Sequence, residues 1–84
     1  MPIVLIVGRF TFYFFSNEGT EPPHVHVDAA DNSAQSWLSP VDLQSNRGFR
    51  SGERKQIQQI IEANRTFLLG KWNEFFSSQN ADNA

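Results

Sequence analysis

The chain has 84 residues, contains no cysteine and carries a formal net charge of −2. A chain of this length builds one domain around one core, which leaves no room for a separate cofactor-binding domain, and the lack of cysteine excludes disulfides and thiolate metal sites. Because no stretch approaches ~18 consecutive apolar residues and no signal peptide is evident, we expect a cytoplasmic protein without a membrane segment.

The first predicted elements are two strands that form a hairpin. Residues 3–7 and 10–15 are rich in β-branched and aromatic side chains. The Gly8-Arg9 pair between them is typical of a two-residue type II′ turn.

The second strand is apolar on both of its faces. Alternate residues of a strand point to opposite sides of the sheet. One side carries Phe10, Phe12 and Phe14, and the other carries Thr11, Tyr13 and Phe15. Because a single helix covers only one side of a sheet, we expect Tyr13 and Phe15 to form an interface.

Two more strands and a short turn follow. A strand is predicted over residues 24–29, and turn-forming residues then lead into a fourth strand over residues 34–38. The segment 40–43 is predicted to form one helical turn, with Ser39 as its N-cap and proline at its first position.

A long helix is predicted from an N-cap at Ser51 to about Phe76. Its apolar stripe consists of Ile57, Ile60, Ile61, Phe67, Leu68, Trp72 and Phe75. Asn64 lies on this stripe, and we expect its amide to bond a backbone group at a strand or turn. The sequence therefore predicts one α+β domain over residues 1–76, a four-stranded antiparallel meander packed on one long C-terminal helix, with a disordered polar tail over 77–84.

The run Glu-Pro-Pro-His-Val-His-Val-Asp at residues 21–28 contains both histidines of the chain. If the valines between them face the core, then His24, His26 and Asp28 share the opposite face. Two imidazoles at i and i+2, completed by a carboxylate from Asp28 or Glu21, are suited to a divalent metal such as Zn²⁺. The alternative is a structural or interface role, and the sequence leaves both open.

Basic residues follow a long segment that has none. Residues 10–46 contain five acids and no Lys or Arg. Four cations then surround the predicted start of the helix: Arg47, Arg50, Arg54 and Lys55. We expect them to bind an anionic ligand or partner, and a nucleic acid would find Phe49 available for stacking. The alternative is a solvated loop with no ligand.

Several spaced motifs occur in order along the chain. They are Glu-Pro-Pro-His-Val-His-Val at 21–27, Trp-Leu-Ser-Pro-Val at 37–41, Asn-Arg-Gly-Phe at 46–49, and Glu-Ala-Asn-Arg at 62–65 followed by Trp-Asn-Glu-Phe-Phe at 72–76. Together they resemble the bacterial family labelled domain of unknown function 4160. The resemblance implies a small prokaryotic cytoplasmic protein, often encoded beside another small protein and sometimes labelled a transcriptional regulator or part of a toxin–antitoxin-like pair. Ser39 stands where such sequences often have Asp.

We therefore expect a small binding or regulatory module that acts through protein association, either with a second copy or with a small protein partner. The alternative is a metal-dependent hydrolase or nuclease that uses the His-x-His strand. An enzyme would need the histidines and acids to converge in a pocket, whereas a binding module would present a flat aromatic and charged surface. The sequence names no catalytic residue and leaves enzymatic activity open.

Overall fold

The computed structural model describes residues 2–15 and 19–82, with side chains described as far as Ser77. Five antiparallel strands lie in chain order across one sheet, and two helices follow. The strands are β1 (Ile3–Val7), β2 (Phe10–Tyr13), β3 (His24–Ala29), β4 (Asn32–Leu38) and β5 (Val41–Arg47), and the helices are α1 (Ser51–Ala63) and α2 (Arg65–Asp82). The predicted α+β class and antiparallel order are confirmed, but the sheet has one more strand than predicted.

The predicted hairpin between β1 and β2 is confirmed. Val7 pairs with Phe10 across a two-residue turn. Gly8 has a φ of 58°, a backbone conformation that glycine adopts without steric cost and that a type II′ turn requires at this position. β2 ends at Tyr13, so Phe15 lies just beyond the strand rather than within it.

The prediction of a helical turn over residues 40–43 is wrong, because this segment begins β5. The Ser39–Pro40 peptide bond is cis, and the chain reverses there so that Val41 pairs with Leu38. Val41 and Leu43 both pack against the core, which is the period of two expected of a strand. Proline therefore marks a turn between strands here and not the first residue of a helix.

The predicted single helix is two helices that meet at Asn64. The Asn64 side chain donates a hydrogen bond to the Ile60 carbonyl at 2.8 Å, so its partner lies in α1 and not at a strand or turn as predicted. Beside the break, Arg65 donates through Nε to the Leu38 carbonyl at 2.7 Å and through a guanidinium nitrogen to Ser39 Oγ at 2.8 Å. Arg65 thus ties the start of α2 to the β4–β5 turn.

The two ends of the helical region also differ from the prediction. The N-cap of α1 is Arg50, one residue before Ser51, and its backbone N–H donates to Glu53 Oε1 at 2.9 Å. The backbone of α2 continues to Asp82 instead of ending near Phe76. That the polar tail over 77–84 is disordered in solution stays a prediction, and residues 83 and 84 lie outside the described part of the chain.

The core lies between one face of the sheet and the two helices. Its fully enclosed side chains include Phe12, Phe14, Val25, Val27, Leu38, Ile57, Ile61 and Leu68. Phe49, predicted as a stacking residue, is also buried in this core, with its ring 6.0 Å from that of Phe10. It is therefore not available to a nucleic acid. Neither helix of the described chain is long and apolar enough to span a membrane.

Candidate interaction surface on the open face of the sheet

The second face of the sheet, which we call the open face, lies away from the helices. Cross-strand pairing aligns its residues in rows that run from β2 to β5. One row consists of Tyr13, His26, Gln35 and Ser45, and the next consists of Thr11, Asp28, Ser33 and Arg47. Because side chains alternate along a strand, these residues point away from the core that Val25 and Val27 enter.

Three aromatic rings pack together on the open face. The Tyr13 ring stacks on His26 with 5.4 Å between ring centroids and 19° between planes. Phe15 meets both rings edge-on, at 4.5 Å from His26 and 5.4 Å from Tyr13. Tyr13 is 7% exposed and Phe15 is 37% exposed, so Phe15 is the member of the predicted interface pair that reaches solvent.

His24 connects this cluster to the helices. It is fully buried, and its ring lies 5.1 Å from Trp72 of α2, 5.5 Å from Trp37 and 5.3 Å from His26. Its Nδ1 donates to the carbonyl of Pro22 at 2.9 Å, which fixes the ring at the start of β3. The two histidines are neighbours, as predicted, but only one of them lies near the surface.

The predicted metal site does not gain further ligands in the described residues. Asp28 accepts a hydrogen bond from the Tyr13 hydroxyl at 3.0 Å, and Glu21 is exposed. Over residues 2–15 and 19–82, no group of three His, Cys, Asp or Glu side chains is placed to hold a metal ion. Binding of Zn²⁺ through His24, His26 and Asp28 stays a prediction.

A shallow cavity of about 310 Å³ lies beside the ring cluster. It is lined by Tyr13, Phe15, His26, Ser33, Ala34, Gln35, Ser45, Asn46 and Arg47. Arg47 is exposed and forms no ion pair with any residue that the structure describes. The cavity therefore combines an aromatic wall, neutral hydrogen-bonding groups and one available cation.

The four predicted anion-binding residues have different surroundings, and the binding of an anion by them stays a prediction. Arg47 lies on the open face, whereas Arg54 and Lys55 line a groove of about 470 Å³ between β5 and α1. Arg50 is the N-cap of α1, and Arg54 donates to the Phe49 carbonyl at 3.1 Å.

An ion pair between Arg9 and Glu53 was missed by the sequence analysis. It joins the β1–β2 turn to the first turn of α1. The backbone N–H of Arg50 and the Arg9 guanidinium both donate to this carboxylate and hold the pKa of Glu53 below its ordinary value. The sequence places Glu53 favourably in the first turn of the helix, but no local pattern predicts a partner 44 residues away.

Comparison with known proteins identifies a family for this chain. A family model described as a domain of unknown function (DUF4160) matches residues 9–73. No curated protein and no solved structure matches the chain. The matched segment contains β2 to β5, all of α1 and the first half of α2. The chain belongs to the DUF4160 family.

Proposed function

We propose that this chain is a small cytoplasmic prokaryotic binding module that docks a small protein partner on its open face, as one member of a two-protein regulatory pair of the toxin–antitoxin-like kind. The observation that supports the proposal is the cavity beside the Tyr13–Phe15–His26 cluster, with Arg47 at its rim. Aromatic and arginine side chains are the types that dominate binding energy at protein interfaces.

The ring cluster is ordered before a partner arrives. The Tyr13 hydroxyl is bonded to Asp28, and its ring is stacked on His26. A partner that meets this surface has fewer side chains to immobilise, and that lowers the entropic cost of association. Phe15, which is partly exposed and lies at the edge of the cluster, supplies the apolar contact.

Arg47 determines the chemistry of the partner. It is the one formally charged side chain among the described residues that line the cavity, and Asp28 in its cross-strand row is already bonded to Tyr13. A carboxylate of the partner would form a bidentate pair with the guanidinium, while an apolar side chain packs on Phe15. The fitting partner therefore carries an acidic residue next to an apolar one.

The alternative, a metal-dependent hydrolase or nuclease, has less support. Its metal would use the His24 imidazole, which is enclosed by Trp37 and Trp72 and donates through Nδ1 to Pro22. Titration of the purified protein with Zn²⁺, with the His24→Ala and His26→Ala double variant as the control, tests this reading. Zn²⁺ binding with a dissociation constant below about 100 µM, lost in the double variant, would support the hydrolase or nuclease alternative.

Co-expression with a small protein encoded beside this chain, which the family resemblance predicts, tests the docking proposal. We expect a complex whose dissociation constant rises at least tenfold in Phe15→Asp and in Arg47→Glu. Phe67→Asp is the matched control, because Phe67 is 46% exposed on α2 and lies outside the cavity. The absence of a complex, or equal weakening by Phe67→Asp, would contradict the proposal.

A further inference from the structure

The two edge strands of the sheet differ in a way that points to self-association. β1 reads Ile-Val-Leu-Ile-Val and contains no charged residue, whereas β5 carries Asp42 and Arg47 and is exposed along most of its length. Within the described part of the chain no other strand pairs with the outer edge of β1. Ile3 is 57% exposed and Ile6 is 64% exposed. An uncharged apolar edge of this kind readily pairs with another strand.

Over residues 3–6 of β1, the sides of the sheet to which successive side chains point follow the same order from either end. The pairing between β1 and β2 is irregular between Ile3 and Leu5, which leaves Val4 as the extra residue of a bulge. Val4 and Leu5 both pack against the core, while Ile3 and Ile6 both face the open side. From residue 3 to residue 6 the sequence of directions is outward, inward, inward, outward.

This order makes β1 complementary to an antiparallel copy of itself. When two identical strands run antiparallel with Ile3 opposite Ile6, Val4 lies opposite Leu5. Outward side chains then meet outward side chains, and inward ones meet inward ones. Each pair is apolar, and cross-strand apolar pairs of this kind stabilise a sheet.

The charges next to β1 have the same two-fold complementarity. Lys71 and Glu74 of α2 line a cavity of about 310 Å³ together with Pro2, Val4 and Phe75. Their charged atoms are 3.9 Å apart and both side chains are exposed. A two-fold axis at the β1 edge reverses the direction of α2 in the second copy, so that side chains of opposite charge on the two α2 helices can approach each other.

We propose that two copies of this chain pair through β1, antiparallel and with Ile3 of each copy opposite Ile6 of the other, so that the two sheets become one. The interface is isologous, because the same edge is used by both copies. It closes after two copies, since β5 at the other edge is polar and charged and does not match β1. This proposal uses a different surface from the docking of the partner protein.

Disulfide trapping tests the arrangement, because the natural chain has no cysteine. In the variant with both Ile3→Cys and Ile6→Cys, oxidation is expected to give a covalent dimer in high yield. The two cysteines of one copy lie three residues apart on a strand, about 10 Å, which is too far for a bond within one chain. Ile6→Cys alone is the control, since position 6 is opposite position 3 of the other copy and should cross-link weakly.

Sedimentation provides the second measurement. We expect the wild type to be dimeric at tens of micromolar and Ile6→Lys to raise the dimer dissociation constant at least tenfold, with an unchanged circular-dichroism spectrum because Ile6 is exposed. Phe67→Lys is the matched control on α2 and should stay dimeric. A monomeric wild type would overturn the proposal. The proposal would also be overturned if the dimer persists in Ile6→Lys but dissociates in Phe15→Asp, because the contact between copies would then lie on the open face.

Discussion

The two faces of the sheet are made from alternate residues of the same strands, yet they are ordered by different interactions. On the helix-covered face, Val25 and Val27 are fully enclosed by apolar neighbours. On the open face, His26 is held by ring stacking, and Asp28 by the Tyr13 hydroxyl. Burial stabilises the first face, whereas the second is ordered but still accessible, and accessibility is what a binding surface requires.

This difference predicts that the largest loss of stability comes from the covered face. We expect Ile61→Ala or Trp72→Ala to lower the free energy of unfolding by roughly 2 to 5 kcal/mol, because each leaves a cavity in a small core. Ile61 is fully enclosed and Trp72 is 5% exposed. Chemical denaturation measures the effect. Unchanged midpoints in both variants would mean that the helices do not stabilise the sheet.

We expect His24 to contribute to stability as the residues of the helix-covered face do, although alternation along β3 places it in the same register as the open face. Its ring contacts Trp72 and Trp37, so we expect His24→Ala to cost about 2 to 3 kcal/mol. His26→Ala is the control and should cost less, since His26 is only partly buried. A larger loss of unfolding free energy in His26→Ala than in His24→Ala would contradict this structural role of His24.

Much of the covered face could be predicted from the sequence, because alternation and helical spacing are local patterns. The phenylalanines of β2 are buried as expected, and so are Ile57, Ile61 and Leu68 of the predicted helix stripe. Phe67, which was predicted on the same stripe, is 46% exposed. The break at Asn64 could not be predicted in this way, since the apolar stripe continues across it. Arg65 fixes the break by bonding to the distant Leu38 carbonyl, a contact with no local signal.

The open face was predicted only in part. The two-residue periodicity of a strand predicts that Tyr13 shares a face with Phe15, and His26 with Asp28. It does not predict that these two pairs contact each other, because that contact depends on the register between β2 and β3. The sequence places Arg47 near the helix start, because β5 has only Val41 and Leu43 as inward apolar residues and its pattern is typical of a turn and a loop. Strand pairing, which is a long-range property, brings Arg47 to the same surface.

A smaller effect is expected for the hydroxyl that orders the open face. Tyr13→Phe removes the hydrogen bond to Asp28 and keeps the stacked ring, so we expect a loss of about 0.5 to 1.5 kcal/mol. Thermal unfolding would detect it. A loss as large as that of Trp72→Ala would mean that the two faces are not ordered by different interactions.

The smallest effect is expected for the ion pair between Arg9 and Glu53. Because the pKa of Glu53 is lowered by its bonds to Arg50 and Arg9, the carboxylate stabilises the fold at neutral pH, and this contribution is lost as the pH falls through that lowered pKa. We expect Glu53→Gln to be slightly less stable at pH 7 and to lose less stability on acidification. Melting temperatures measured from pH 7 down to pH 3 would show the two curves converging. Parallel curves would contradict the assignment.

The central claim is that the open face recognises a partner, and it is tested most directly by mapping where that partner binds. The proposed small-protein partner would be titrated into the isotope-labelled chain while the backbone and side-chain resonances are followed by NMR. We predict that the largest shifts occur at Phe15, His26, Gln35 and Arg47, with little change along α1. Shifts centred instead on Gln44, Arg54 and Lys55 would place the binding surface in the groove between β5 and α1 and would contradict the account.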